Sequence, residues 1–150
     1  MNGNGSVAFR VKGKPVTQGS KWSPKGSHAV IDQSGDRLES WRQNVGECGS
    51  IAWRSPPVKG RVSLHVVFKF QRPQSHMGTG RNATMVKDSA PKYHIQAPDT
   101  DKLLRAVMDA LTGVIFEDDR QVDDIHGSKQ WVTEGGGVLI IVDTEPKEES

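Results

Sequence analysis

The chain has 150 residues, enough for one domain with its own core, and at 34% hydrophobic that core is modest and leaves apolar surface for a partner. No apolar run reaches membrane-spanning length, the start MNGNGSVAFR lacks a signal-peptide core, and the single Cys48 excludes an internal disulfide, so a reducing cytoplasm is the expected setting. The net charge of +2 hides an asymmetry: residues 1–97 carry 15 Lys/Arg against 5 Asp/Glu, a net +10, while residues 98–150 carry 5 against 13, a net −8. A basic half suits a polyanion. An acidic half repels one unless cations neutralise it. Two solvated faces of opposite sign are the bland alternative.

In chain order, VAFRVK (7–12) alternates apolar and basic residues and predicts a half-buried strand. The following GKPVTQGSKWSPKGSHAV is a loop by its Gly, Pro and Ser content. Its lysines Lys14, Lys21 and Lys25, with Lys12 just before, surround Trp22 and suit phosphate contact with base stacking. Residues 36–53 place Leu38, Trp41, Val45, Cys48 and Ala52 at helical spacing, weakened by Gly46 and Gly49. Residues 62–70 alternate around Val62, Leu64, Val66 and Phe68 and predict a strand. Residues 71–97 have no period and carry Arg72, Arg81, Lys87 and Lys92; they predict a long mobile basic loop, suited to covering a phosphate backbone.

A second helix follows, with Thr100 as its cap, an apolar stripe of Leu103, Leu104, Val107, Met108 and Leu111, and Gly113 as the C′ residue. Residues 121–132 read as extended, joined by a Gly-rich hairpin at 135–137 to a buried strand at 138–143, with a frayed tail over 144–150. The expectation is a single α+β domain over 1–150: a mixed sheet of about four to five strands with two main helices. No Cys/His cluster has zinc spacing, which excludes the common zinc modules.

The carboxylates carry the chemistry. Asp99 lies just outside the second helix and Asp101 in its first turn, so the two can converge near the positive end of the helix dipole. One of Glu117, Asp118 or Asp119 could return to the same point from the turn after Phe116. Hard oxygen ligands gathered in this way fit Mg²⁺ or Mn²⁺ and phosphodiester cleavage. Caps and solvated turns use the same residues. The stretch DTDKLL lacks the glycine and oxygen ligands of an EF-hand.

The pattern P-D-x-D-x-L-x-(K/R)-x3-D-A-L-x-G, then D-D-x-Q-(I/V), is carried by Pro98, Asp99, Asp101, Leu103, Arg105, Asp109, Ala110, Leu111 and Gly113, followed by Asp118, Asp119, Gln121 and Val122. It resembles the RusA-type Holliday-junction resolvase (crossover junction endodeoxyribonuclease) family, and a G-x-P at Gly13 and Pro15 agrees. The resemblance implies a homodimeric Mg²⁺-dependent endonuclease, with Mn²⁺ able to substitute, that cuts four-way DNA junctions in recombination and repair from two active sites. It implies Asp99, Asp101 and Asp119 as metal-binding catalytic acids. Such resolvases often serve viral or prophage DNA.

Two positions depart from the family's usual pattern: Lys102 stands where Asn is usual and Arg105 where Lys is usual. Arg105 can stabilise phosphate charge but cannot donate a proton at neutral pH. The DNA-contacting set expected is Lys12, Lys14, Lys21, Lys25, Arg72, Lys102 and Lys129, the last a cation that could meet the scissile phosphate or be an ordinary strand lysine. The expected dimer contact uses Trp41 and Trp53 of the first helix and the strand at 62–70. The rivals are a branched-DNA-binding protein with weak or no catalysis, and a metal-free interaction domain.

Overall fold

The computed structural model describes residues 5–18 and 32–144. Four strands, β1 (Ser6–Lys12), β2 (Val62–Gln71), β3 (Val122–Val132) and β4 (Gly137–Asp143), form one mixed sheet in the order β1-β4-β2-β3. Two helices, α1 (Asp32–Trp53) and α2 (Thr100–Leu111), pack on one face of it. The expected α+β domain with two main helices is what the chain forms.

The alternation in β2 decides the layering. Val62, Leu64, Val66, Phe68 and Phe70 point to the helices and are buried, as are Ile140 and Val142 of β4. From α2 they meet Leu103, Ala106, Val107 and Leu111, all at 0% exposure. Each such aliphatic side chain stabilises the fold by about 1.5–3 kcal/mol relative to exposure. Being apolar along its whole inner face, β2 takes a central place. β3 is mostly exposed and lies at the edge.

The hairpin expected between the last two strands does not form. β3 runs parallel to β2, whereas β4 runs antiparallel to β2 and β1, so the chain crosses the end of β2 on its way from β3 to β4. Glycine permits this crossing: a Cβ on Gly136 would sit 3.1 Å from the Lys69 carbonyl oxygen. Gly49, which weakens α1 by propensity, is also a packing device. Its Cβ would lie 2.8 Å from Leu111 Cδ2, so glycine lets α1 and α2 approach.

Three further expectations are revised. Asp99 rather than Thr100 occupies the N-cap position of α2, and its side chain makes no capping bond. Trp41 is 3% exposed and belongs to the protomer's core, so it is not available as a dimer anchor. Thr144, expected in the frayed tail, is buried, and its hydroxyl accepts from the Gly5 N–H at 2.7 Å. Residues 72–97 contain two short 3-10 turns, at Gln74–His76 and Gly80–Asn82, and no longer element. Among the described residues no helix is long and apolar enough to cross a membrane.

Candidate functional site

The unit β2–α2–β3 sets the geometry. β2 and β3 rise in parallel, and α2 descends between them. The start of α2 therefore lies at the carboxyl end of the sheet, and the turn after α2 lies at the opposite end. Asp99 and Asp101 are exposed at the first of these. Lys129 fixes their approach: its ammonium donates to the Gln96 carbonyl at 2.6 Å and to the Pro98 carbonyl at 2.8 Å. It acts as a clamp on the backbone leading into Asp99, and these two bonds occupy the ammonium expected to meet DNA. A cis peptide joins Ala97 to Pro98 at this point. Lys102 Nζ lies 3.8 Å from Asp99 Oδ2, one turn along. Arg105 is exposed one turn beyond Asp101 and makes no ion pair among the described residues.

Basic side chains gather at the same end of the sheet. Arg10, Lys12, Lys14 and Lys69 line a cleft of about 790 Å³ with the backbone of Gly135, Gly136 and Gly137. Lys12 and Lys14, two of the residues expected to contact phosphate, both line this cleft. Lys21 and Lys25 lie outside the described residues. Arg72 is already engaged: its Nη1 donates to the Pro91 carbonyl at 2.8 Å, and its guanidinium lies 5.7 Å from the Trp131 ring centre. Trp131 stacks on His94 at 4.1 Å and meets His76 edge-on at 4.9 Å. This cluster pins the root of the 72–97 segment to β3. His94 is 6% exposed, and burial, then the Lys129 charge, lowers its pKa from 6.5.

The acidic turn has a different construction. Asp118 caps the 3-10 turn Asp119–Gln121, accepting from the Arg120 N–H at 2.9 Å. That hydrogen bond is the main reason its pKa is lowered. Gln121 completes a capping box: its Oε1 accepts from the Glu117 and Asp118 N–H groups, while its Nε2 donates to the Val58 and Gly60 carbonyls. Asp118 is consumed by structure and Asp119 is exposed, which separates the two acids the sequence left open. The D-x-x-Q spacing is itself a legible capping-box signal that sequence reasoning missed.

Asp109 likewise has a structural role, accepting from Arg42 Nη1 at 3.0 Å and from Gln18 Nε2 at 2.9 Å. It ties α2 to α1 and to the loop after β1. Gly113, with φ of 86°, ends α2 in the left-handed conformation expected of a C′ glycine.

A sequence profile of the family described as Endodeoxyribonuclease RusA matches residues 12–143. The chain belongs to this family. It is also 31% identical over 129 residues to the protein named "Uncharacterized protein YqaN" of Bacillus subtilis (strain 168), covering 82% of this chain and 86% of that one. In this RusA-family chain, the shared pattern thus has two parts. Asp109, Gly113, Asp118 and Gln121 hold the βαβ unit together, and Asp99, Asp101, Arg105 and Asp119 are left facing solvent.

Those solvent-facing acids do not meet within one protomer. Among the described residues no three His, Cys, Asp or Glu side chains are gathered closely enough to hold a metal ion. Topology gives the reason. Pro98 is held at the level of Lys129 near the top of β3, whereas Asp119 precedes Val122 at its foot. Seven strand residues separate these levels, a span of about 23 Å at 3.3 Å per residue. Carboxylates sharing one cation lie within about 5 Å of each other. The carboxylate chemistry suits Mg²⁺, but a single chain supplies only Asp99 and Asp101 at one end and Asp119 at the other.

Proposed function

We propose that this protein is a divalent-metal-dependent endodeoxyribonuclease that cuts branched DNA, four-way junctions above all, as a homodimer. The observation that supports this most directly is the match to the RusA family across nearly the whole chain, with two exposed acids at the start of α2 at the same end of the sheet as a basic cleft. In this reading Asp99, Asp101 and Asp119 are the metal-binding acids, and Mg²⁺ or Mn²⁺, when bound, activates water and neutralises phosphate charge. Arg10, Lys12, Lys14 and Lys69 hold the DNA backbone at the carboxyl end of the sheet, each cation releasing counterions on contact. Arg105 faces the same side as Asp101 and stabilises charge on the phosphate without giving up a proton. Lys129 is a positioning residue that orients the segment bearing Asp99 through the Gln96 and Pro98 carbonyls.

Incubating the purified protein with a synthetic four-way junction, with and without Mg²⁺, tests the reading. Paired nicks that need the metal are expected. Tight, salt-sensitive binding with no cutting under any divalent ion would favour the second reading, a non-cleaving branched-DNA binder. Arg105 in the place of the family's usual Lys is the observation that keeps this second reading in view.

A further inference from the structure

Both helices pack on one face of the sheet, and the alternation that buries Val62, Leu64, Val66 and Phe68 turns the residues between them to the other face. No described helix lies on that second face. The strand register sorts its side chains into rows that cross the sheet. Lys12 and Lys69 stand nearest the carboxyl end, with Gly137 between them. Arg10, Leu139 and Val67 form the next row, and Ile141, His65 and His126 the one below it. Asp143 and Asp124 lie at the foot. The face therefore grades from cations, through an apolar and imidazole middle, to two carboxylates.

The middle of this face presents two rings. His65 and His126 lie opposite each other on β2 and β3, with ring centres 5.4 Å apart and planes within 23° of parallel. His65 is exposed, and so is His126, whose side chain is 68% open to solvent. Ile141, set between the buried Ile140 and Val142, is 37% exposed beside them. We infer that this face is a platform for unpaired DNA: the sugar–phosphate backbone of a single strand lies along Arg10, Lys12 and Lys69, and its bases stack over Ile141, His65 and His126. The substrate class this adds is branched DNA that carries a single-stranded arm. The inference rests on the DNA-binding half of the proposed function and not on cutting.

Charge sets the direction of the strand on the sheet. Arg10, Lys12 and Lys69 line the cleft of about 790 Å³ and meet phosphates there. Gly137 carries no side chain, so a backbone can approach the sheet between the two lysines. Asp143 and Asp124 repel phosphate, which leaves the bases to point toward the foot. Successive rows are about 6.6 Å apart and the four strands span about 14 Å, room for the roughly two or three bases that a sheet with stacking rings holds. A duplex fits this face less well, because its bases already stack on each other and offer no flat surface to the imidazoles. An acidic protein segment would share the cations, but it has no flat rings to set on His65 and His126.

Binding of a labelled oligothymidine and of a duplex of equal length, both without divalent ions, tests the platform. His65→Ala combined with His126→Ala should weaken oligothymidine binding by about tenfold or more and leave duplex binding unchanged. Ile141→Glu, which sets a negative charge among the bases, should do the same. A fluorescent aminopurine base in the oligonucleotide should be quenched by the wild-type protein and by His65→Phe/His126→Phe, which keeps flat rings, but not by the double alanine variant. Equal oligothymidine affinity in wild type and both sets of variants, or no quenching by wild type, overturns the inference. So does a polyglutamate peptide that competes as well as the oligonucleotide, since the face would then be a surface for any polyanion. Quenching by a protein that cuts no junction with Mg²⁺ would break the nuclease reading and leave the platform standing. Metal-dependent cutting without quenching would break the platform and leave the nuclease standing.

Discussion

The two ends of the sheet are built on opposite plans. At the carboxyl end, Arg10, Lys12, Lys14 and Lys69 face an open cleft, and Asp99 and Asp101 are exposed at the start of α2, Asp99 with Lys102 3.8 Å away. At the foot, most charges are already paired: Arg61 with Asp123 at 2.8 Å, Arg120 with Asp118 at 3.3 Å, and the turn itself closed by Gln121. Asp119, like Glu117, is exposed in that turn. One end leaves its cations lining a cleft, and the other ties its arginines to neighbouring carboxylates.

The largest effect expected is on catalysis at the open end. Asp101→Asn should lower junction cleavage by at least about a hundredfold, while binding stays equal or becomes tighter, since a negative charge near the phosphates is removed. Single-turnover cleavage and a mobility shift on the same junction measure the two. Full activity would remove Asp101 from the mechanism and leave the open end a binding surface alone.

Binding supplies the next test. Lys12→Ala combined with Lys14→Ala should weaken junction affinity and flatten its salt dependence by about two ion equivalents. Arg61→Ala, at the paired end, should change neither. An equal loss from both variants would erase the contrast between the ends.

Stability sharpens the contrast from the other side. Leu103→Ala, beneath the open end, should cost about 2–5 kcal/mol by leaving a cavity in the core. Gln121→Ala should cost less, about 1–3 kcal/mol, since it leaves backbone groups of the acidic turn and the Val58–Gly60 carbonyls without partners. Urea unfolding gives both. The Gln121 variant should also lose cleavage beyond its loss of stability, because the turn that carries Asp119 is no longer closed.

Much of this was legible from residue order. The alternation in 62–70 and the apolar stripe from Leu103 to Leu111 announced β2 and α2, because burial imposes those periods directly. The acids Asp99 and Asp101 were legible as a pair at a helix start for the same reason. Strand order was not. β3 and β4 are adjacent in sequence, and nothing local says that β2 lies between them; the all-apolar inner face of β2, which puts it in the middle, is a property of the whole sheet. The expected meeting of Asp119 with Asp99 failed for a related reason: a parallel βαβ unit puts the two ends of its helix at opposite ends of the sheet. The role of Lys129 was also out of reach, because its partners are carbonyls more than thirty residues away in sequence.

The smallest effect concerns pH at the root of the 72–97 segment. His94 is buried against Phe70 and Trp131, and its Nδ1 has no hydrogen-bond partner among the described residues. Burial and the nearby Lys129 charge lower its pKa below 6.5, so the folded protein holds it neutral where the unfolded chain begins to take up a proton. The unfolded state then binds more protons than the native state, and stability must fall as pH drops through 6.5. Above that value the contribution is fully present. His94→Phe keeps a ring against Trp131 and removes the titrating group, so the difference in urea midpoint between wild type and this variant should shrink or reverse from pH 8 to pH 5. A difference that stays constant across that range would mean that His94 takes up its proton equally in both states, and that its burial at the open end carries no pH dependence.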